Sequence, residues 1–222
     1  MDVQALTHIA GYFGGGIAIG LGGIGTAIGE GYIAAEANFA TSRNPKLSGD
    51  IFKTMLIGQA LSESASIFAL VITILLLFAD ASGSQLQSAG LLSAGVCMGL
   101  GALGSGIGAA LPGVEGCIGV ARQPESSSRL TTNMLIGSAI CQTPAIFSMV
   151  VSLLLIFMDF SRAPLSPTWA ALLSAGLCTG LAAIGSSYGS GLAARASCQG
   201  IARNPESAGN VTTTMLIGQA VT

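Results

Sequence analysis

The stretch from Met55 to Ala79 reads MLIGQALSESASIFALVITILLLFA and contains one ionisable side chain, that of Glu63. An α-helix needs about 20 mostly apolar residues to cross the hydrocarbon core of a bilayer, and this stretch is long enough. We therefore predict a membrane-spanning helix from about Phe52 to Ala79. A carboxyl group placed a dozen residues inside such a helix is costly, which makes it a candidate functional group.

The first four residues of this stretch recur twice along the chain, starting at Met55, Met134 and Met215. The copies are therefore offset by 79 and 160 residues. The same offsets align one basic tripeptide in each copy: Arg43-Asn44-Pro45, Arg122-Gln123-Pro124 and Arg203-Asn204-Pro205. They also align four glycines in each copy. The four sets of equivalent glycines are Gly16/Gly95/Gly176, Gly20/Gly99/Gly180, Gly25/Gly104/Gly185 and Gly29/Gly108/Gly189. So many aligned positions predict three tandem repeats, at residues 1–80, 81–160 and 161–222.

Each repeat has the composition of a helical hairpin. A Gly/Ala-rich apolar span, Ile9 to about Phe39 in the first copy, leads into the polar tripeptide and then into the Leu/Ile/Phe-rich second span. Proline cannot continue a helix and disfavours helix at the preceding residue, so it suits the turn. The sequence predicts an all-α membrane protein with three tandem transmembrane hairpins and six spans. The last span, Val211 to Thr222, is too short to cross, so we expect the natural chain to continue.

Composition and charge agree with a membrane protein. Hydrophobic residues make up 51% of the 222 residues, charged residues only 8%, and the mean hydropathy is +0.73; soluble domains carry about 25% charged residues. Seven of the eight basic residues lie near the turns: Arg43, Lys46, Lys53, Arg122, Arg129, Arg195 and Arg203. The positive-inside tendency places these turns in the cytoplasm of a multi-pass cell-membrane protein, with Arg162 and the other loops outside. The sequence contains no basic patch of the size that binds nucleic acid.

The glycines of the first spans indicate how the helices pack. Pairs such as Gly16 and Gly20 are four residues apart and share one helix face. Small residues let helix backbones approach closely in lipid. We expect the three first spans to pack side by side, with the bulkier second spans facing lipid.

A second carboxylate lies at a similar distance from the first turn. Glu30 and Glu63 are equidistant from a turn centred near Lys46, so both would lie about 20 Å below it. Two carboxylates in a low-dielectric medium cannot both stay ionised unaided. With the hydroxyls of Ser62, Ser64 and Ser66 they could surround a small cation, because hard cations prefer oxygen ligands. The alternative is a structural hydrogen bond between two helices. Glu36 and Glu115, nearer the turns, are expected to reach the headgroup zone.

These motifs resemble those of a known family. The Gly-rich first helix, the Arg-Asn-Pro turn and the segment Gly-Gln-Ala-x-x-Glu-Ser (Gly58–Ser64) are similar to the c subunit, or proteolipid, of rotary ATP synthases, including fused forms. The resemblance covers essentially the whole chain. It implies a c-ring with first helices inside and second helices outside, ion binding at Glu63, rotation against a stator a subunit, and contact between the polar turns and the central stalk.

The resemblance also bears on the transported ion. Sodium-binding members carry Gln or Glu on the inner helix and Glu-Ser on the outer helix, and they also use a backbone carbonyl. The corresponding residues here are Glu30, Glu63, Ser64 and the carbonyl of Leu61. These matches favour Na⁺ over H⁺, although Phe68 stands where sodium members often have tyrosine. The resemblance implies no organic cofactor. In the family, each ion site lies between two adjacent hairpins. Glu30 and Glu63 could therefore each face a neighbouring hairpin, or they could share one site within hairpin 1, and the sequence leaves both arrangements open.

The three copies differ at the site positions. Gln142 stands at the position of Glu63 in hairpin 2, and Ala109 and Ser190 stand at the positions of Glu30. Because glutamine cannot exchange a proton or balance a cation, hairpin 2 is predicted to be silent. Pro112 and Pro144 are expected to interrupt its helices.

Other functions remain as alternatives. Loss of a carboxylate in hairpin 2 would also suit a non-rotary structural or pore-forming proteolipid. A small-solute transporter fits poorly, because transporters usually repeat larger bundles. The chain has one histidine and no phosphate-binding loop, so catalysis by this chain alone is not expected. The five cysteines are expected to be small buried packing residues.

Overall fold

A computed structural model of the protein describes residues 2–79, 84–160 and 164–222. Over these ranges the chain forms α-helices and short 3-10 helices without a strand, which confirms the all-α prediction. Arg162, which we expected in an outer loop, lies outside the described residues. The α-helices are α1 (Val3–Arg43), α2 (Ser48–Leu77), α3 (Gln85–Arg122), α4 (Ser127–Ile140), α5 (Thr143–Phe157), α6 (Leu165–Arg203) and α7 (Ala208–Val221).

The polar turns lie where the tripeptides predicted them. Each Gly-rich helix ends at the arginine of its tripeptide, and the proline begins a 3-10 helix. The residue before the proline leaves helical geometry, as at Asn44 with φ −140° and ψ 72°. The proline ring disfavours helix at that position, so the turn follows from the sequence. The three 3-10 helices are Pro45–Leu47, Pro124–Ser126 and Pro205–Ser207.

Five helical segments of the described chain are long and apolar enough to cross a membrane. They are Val3–Arg43, Pro45–Leu77, Gln85–Arg122, Pro124–Phe157 and Leu165–Arg203. The first span is thus longer than the Ile9–Phe39 range expected from composition. The seventh helix has 14 residues, which corresponds to about 21 Å. The structure therefore contains five of the six predicted spans in full length.

The two prolines of hairpin 2 differ in effect. Residues 141 and 142 separate α4 from α5, and Pro144 is the second residue of α5. This break is expected, because the proline ring clashes with the carbonyl four residues earlier, that of Ile140. The expected interruption at Pro112 is wrong, since α3 continues through it. Membrane helices tolerate a proline where neighbouring helices and local adjustments compensate the lost hydrogen bond.

The described residues pack into two compact units, and each hairpin contributes to both. Unit 1 comprises Met1–Ile24, Ala65–Gly104 and Pro144–Ile184, whereas unit 2 comprises Gly25–Ser64, Ser105–Thr143 and Gly185–Thr222. The core of unit 1 includes Ile72, Leu76, Leu91, Met98 and Leu155. The core of unit 2 includes Ile33, Ile51, Val120, Leu130 and Ile201.

Glycines bring the Gly-rich helices into backbone contact, as the sequence predicts. In unit 1 a side chain added at Gly95 of α3 would overlap the backbone of Gly14 of α1. In unit 2 one added at Gly108 would meet the backbone of Ser187 of α6. Gly16 and Gly20 differ from their counterparts in the other repeats, because open space surrounds both.

The cysteine prediction is correct at four of five positions. Cys97, Cys117, Cys141 and Cys198 are buried, and all five are unpaired thiols. Cys178 is exposed, so the expectation of a buried packing residue is wrong there.

Candidate ion-binding site

Glu63 lies in unit 2 at an exposed position of α2, next to a buried serine that ties this helix to α3. The Ser62 hydroxyl donates a 2.8 Å hydrogen bond to the carbonyl oxygen of Gly106. Ser62 is fully buried, whereas the neighbouring Glu63 is exposed, so the Ser62 side of α2 packs on α3. Ser64, half-buried, donates to the Ala60 carbonyl at 3.2 Å.

Glu30 lies on α1, half-buried, in the same unit. The side-chain nitrogen of Gln59 donates to the backbone oxygen of Glu30 at 3.3 Å. Gln59 is one helical turn before Glu63, so this hydrogen bond joins the backbone of Glu30 to the turn of α2 that precedes Glu63. Glu30 and Glu63 therefore belong to the same part of hairpin 1.

The carbonyl of Leu61 contacts hairpin 2. Gln142 Nε2 donates a 2.8 Å hydrogen bond to the Leu61 oxygen. Gln142 is 6% exposed, and its Oε1 is buried with no hydrogen-bond partner in the described chain. The residue that replaces Glu63 in the second repeat therefore lies against α2 of the first repeat, at the interface between two hairpins.

The residues equivalent to Glu30 take part in helix packing. Ala109 is buried, and its carbonyl accepts a 2.9 Å bond from Ser138. Ser190 is 4% exposed and accepts a 3.0 Å bond from the amide of Gln219. Neither position offers a charge at the depth where hairpin 1 has Glu30.

Among the described residues, no cluster of three or more His, Cys, Asp or Glu side chains could hold a metal ion.

The basic residues gather in one unit. All seven Lys and Arg residues of the described chain belong to unit 2, which agrees with the clustering seen in the sequence. Neighbouring turns are also linked: Asn44 Nδ2 donates to the Ala121 carbonyl at 3.3 Å, and Arg129 donates to the Pro205 carbonyl at 3.1 Å. The turn arginines at positions 43, 122 and 203 are at least partly exposed.

The sequence did not reveal an ion pair in unit 2 whose carboxylate is buried. Glu115, expected in the headgroup zone, has a side chain only 5% exposed, and its Oε1 lies 2.9 Å from Arg195 Nη2. Gln199 Nε2 donates to the same oxygen at 2.7 Å. The signal that could have revealed it is the spacing of Arg195 and Gln199, four residues apart on one face of α6. Glu36 instead lines a cavity of about 260 Å³ with Arg43 and Arg122.

The comparison with known families accounts for the repeats. The family model that describes the C subunit of ATP synthase matches three times, at residues 13–76, 92–155 and 173–222. The chain belongs to the ATP synthase c-subunit family. The matched segments coincide with the three predicted hairpins and together cover most of the chain.

Curated relatives agree with this assignment. An ATP synthase c subunit from Natranaerobius thermophilus is 44% identical over 80 residues, which is 36% of this chain and 92% of the relative. One from Petrotoga mobilis is 46% identical over 73 residues, 33% of this chain and 76% of the relative. One from Citrifermentans bemidjiense is 49% identical over 65 residues, 29% of this chain and 71% of the relative.

Each relative thus aligns with about one third of the chain. This member of the c-subunit family therefore contains three fused copies of a unit that occurs singly in those relatives, and it is a non-catalytic membrane subunit, as its sequence predicted.

Proposed function

We propose that this protein is an ion-translocating rotor subunit of a rotary ATP synthase or ATPase, and that Glu63 binds the transported Na⁺ or H⁺. The observation that carries the proposal is the placement of Glu63, which lies 15 residues after the start of α2, or about 22 Å from the turn, in a part of the helix with no other charged residue from Thr54 to Leu77. An ionisable group at that depth is expensive and is typical of ion pathways.

Uncovered surfaces of hairpin 1 support assembly into a ring of copies. Gly95 and Gly99 of hairpin 2 pack on α1, and Gly176 and Gly180 of hairpin 3 pack on α3. The equivalent residues of hairpin 1, Gly16 and Gly20, have no neighbour within 4 Å. A second copy would cover them with its hairpin 3.

The complementary surface lies on hairpin 3. A groove of about 440 Å³ in unit 2 is lined by residues of α6 and α7, namely Ala193, Ala196, Ser197, Asn210, Val211, Thr214, Met215 and Gly218. The equivalent residues of hairpin 1, among them Ile33, Ile51 and Thr54, are buried, because α3 covers them. Hairpin 1 of a second copy is the occupant of matching shape.

The ring order assigns neighbours to Glu63. Gln142 contacts the Leu61 carbonyl of the preceding hairpin. The same relation one repeat earlier pairs Glu63 with the Val221 carbonyl and Ser190 of the preceding copy's hairpin 3. Since Gln142 carries no charge, hairpin 2 transports no ion, and fewer ions move per turn than there are hairpins. Such a ring favours ATP-driven pumping over synthesis.

The remaining partners follow from the family resemblance. The basic turns of unit 2 would face the cytoplasm and contact the central stalk of the complex through residues 43–45, 122–124 and 203–205. An a subunit of the stator would exchange the ion at Glu63, and the apolar surface would face the lipid of the cell membrane.

Carboxyl modification tests the proposal. A carbodiimide added to the purified ring modifies protonated carboxyl groups in apolar surroundings, and peptide mass spectrometry identifies the site. We expect modification of Glu63 that Na⁺ suppresses for a sodium rotor, or that only rising pH suppresses for a proton rotor. An unmodified Glu63 under all conditions would contradict ion binding there. That result would favour the non-rotary structural or pore-forming proteolipid, the alternative that the uncharged Gln142 supports.

A further inference from the structure

The second residue of each 3-10 turn differs in charge between the hairpins. Lys46 stands in hairpin 1, whereas Glu125 and Glu206 stand at the equivalent positions of hairpins 2 and 3. We call these three residues the apex positions, and all three are exposed. The chain therefore presents one cation and two anions at the same place in its repeated fold.

The backbone of the turns does not account for this difference. The residues before the three prolines have nearly the same conformation, with φ from −140° to −134° and ψ from 72° to 88°. In each turn the N–H of the residue after the 3-10 helix donates to the proline carbonyl. Packing within the chain therefore requires neither charge at the exposed apex position, and what faces the turn from outside decides between them.

The other charges of each turn increase the contrast. Residues 43–53 carry three cations and one anion, residues 122–132 two cations and one anion, and residues 203–213 one of each, so the net charges are +2, +1 and 0. Arg129, one of the two cations of the second turn, donates to the Pro205 carbonyl at 3.1 Å and is thus engaged between turns 2 and 3. The positive potential is therefore greatest at the turn of hairpin 1.

Depth distinguishes Lys46 from the other lysine of hairpin 1. The proposed transport site requires Glu63 near the middle of the bilayer. Lys46 is 17 residues from Glu63 along the hairpin, or about 25 Å, whereas Lys53 is 10 residues away, or about 15 Å. The hydrocarbon ends about 15 Å from the midplane, and the headgroup regions end at about 20–22 Å. Lys53 therefore lies at the level of the lipid headgroups, and Lys46 lies beyond them, where a protein partner can reach it.

We propose that the apex positions set the register in which an acidic protein surface docks on the ring, with Lys46 as the contact residue. Under the proposed rotor function, on which this inference rests, that surface belongs to the central stalk. A carboxylate of the stalk pairs with Lys46 and is repelled by Glu125 and Glu206. The stalk is therefore held at hairpin 1, and the ring offers one docking position for every three hairpins.

The two glutamates contribute to this register as well as the lysine. Specific docking is a difference between the intended alignment and its competitors, and like charges that face each other disfavour the competitors. Rotation of the stalk by one or two hairpins would bring its carboxylate against Glu206 or Glu125. Because Gln142 belongs to the hairpin after the docked one, the register also gives the silent hairpin a constant position relative to the stalk.

Reversal of the lysine charge tests the proposal on membranes that carry the complete complex. Rising KCl releases the stalk with the catalytic head, and the ATPase activity in the supernatant measures the release. We expect Lys46→Glu to weaken attachment by about threefold at low salt, as for an exposed ion pair, with a smaller difference at high salt. Lys53→Glu, the same reversal at headgroup level, is the control and should leave the release unchanged. Release from Lys46→Glu at the native salt concentration would overturn the proposal.

A charge-swap variant separates the register from the total charge. Lys46→Glu combined with Glu206→Lys keeps the net charge and moves the cation from hairpin 1 to hairpin 3. Both positions are exposed, and each new side chain already occurs at an apex position, so the fold should be retained. We expect native attachment to return in this variant. Attachment as weak as in Lys46→Glu alone would contradict docking through the apex positions.

Photocrosslinking reads the register directly. Gly49→Cys, Ser128→Cys and Gly209→Cys place single thiols at equivalent exposed positions of the three hairpins, in a Cys178→Ala background that removes the exposed native thiol. After labelling with a benzophenone maleimide and irradiation, we expect the crosslink to the stalk to be strongest from position 49. In the charge-swap variant the strongest crosslink should move to position 209. Equal yields from the three positions would overturn the register.

The outcomes distinguish this inference from the proposed function. A native ring that holds no stalk even at low salt would contradict the rotor function itself. A stalk that is attached but equally salt-resistant in Lys46→Glu would contradict only the docking register. A loss of anionic phospholipid from the purified Lys46→Glu ring, with the stalk unaffected, would assign this lysine to the lipid instead and would likewise overturn the proposal.

Discussion

Arg195 of α6 places two guanidinium nitrogens, Nε and Nη2, each 2.9 Å from the same oxygen of Glu115 on α3. Gln199 adds a third donor to that oxygen at 2.7 Å. Hairpins 2 and 3 are therefore joined by a charge-assisted network in unit 2, and such bonds are about twice as strong as neutral ones. The residue of hairpin 1 that is equivalent to Glu115 is Glu36. The residues of hairpin 2 that are equivalent to the donors Arg195 and Gln199 are Val114 and Ile118, so hairpin 2 offers Glu36 no such donors.

Removal of the arginine should destabilise the protein. Arg195→Ala leaves the Glu115 carboxylate buried with one remaining donor. We expect a loss of about 2 kcal/mol, less than the roughly 3–5 kcal/mol seen when a fully buried pair is broken, because the Arg195 side chain is 41% exposed. Thermal unfolding in detergent measures the change. Arg203→Ala, at an exposed turn position, is the control, and equal unfolding temperatures for both variants would contradict a stabilising role of the pair.

The sequence predicted most of the fold because each hairpin is specified locally. The apolar stretches set the helices, and proline sets the turns. Four features were not predictable in this way. The contact of Gln142 with Leu61 and the Glu115–Arg195 pair join residues about one repeat apart, so they depend on how neighbouring hairpins pack. The exposure of Cys178 and the continuity of α3 through Pro112 likewise depend on tertiary neighbours rather than on local preference.

Restoring a carboxylate in hairpin 2 should add a transport site. Gln142→Glu places a charge against the Leu61 carbonyl, where the native amide lies. We expect carbodiimide labelling to rise by one site per chain, at position 142, and the ion-to-ATP ratio of reconstituted vesicles to rise with it. Gln4→Glu, the same substitution at an exposed position near the start of α1, should change neither. An unchanged ratio together with new labelling at position 142 would show that the added carboxylate binds without transport.

Disulfide crosslinking tests the order of hairpins around the ring. Asn44 of hairpin 1 donates a hydrogen bond to the Ala121 carbonyl of hairpin 2 at 3.3 Å. The equivalent residues are Asn204 in hairpin 3 and Ser42 in hairpin 1. In a ring, Asn204 of one copy would therefore lie next to Ser42 of the following copy. We therefore expect Ser42→Cys combined with Asn204→Cys to give a ladder of covalent multimers on a denaturing gel. The control pair Asn44→Cys and Ala121→Cys should crosslink within one chain. Crosslinking of the control alone would contradict a ring in which hairpin 3 precedes hairpin 1.

Equivalent glycines should respond differently to the same substitution. Gly95→Val would force a side chain into the backbone of Gly14, and overpacking of this kind typically costs about 1–3 kcal/mol, so the isolated chain should unfold at lower temperature. Gly16→Val meets nothing within 4 Å inside the chain, so stability should be retained. If the Gly16 face packs on hairpin 3 of a second copy, that variant should instead fail to assemble. Size-exclusion chromatography with light scattering, combined with thermal unfolding, separates the two effects. A Gly16→Val protein that forms full-size rings would show that this face has no partner copy, because a valine cannot fit where the equivalent glycines allow backbone contact.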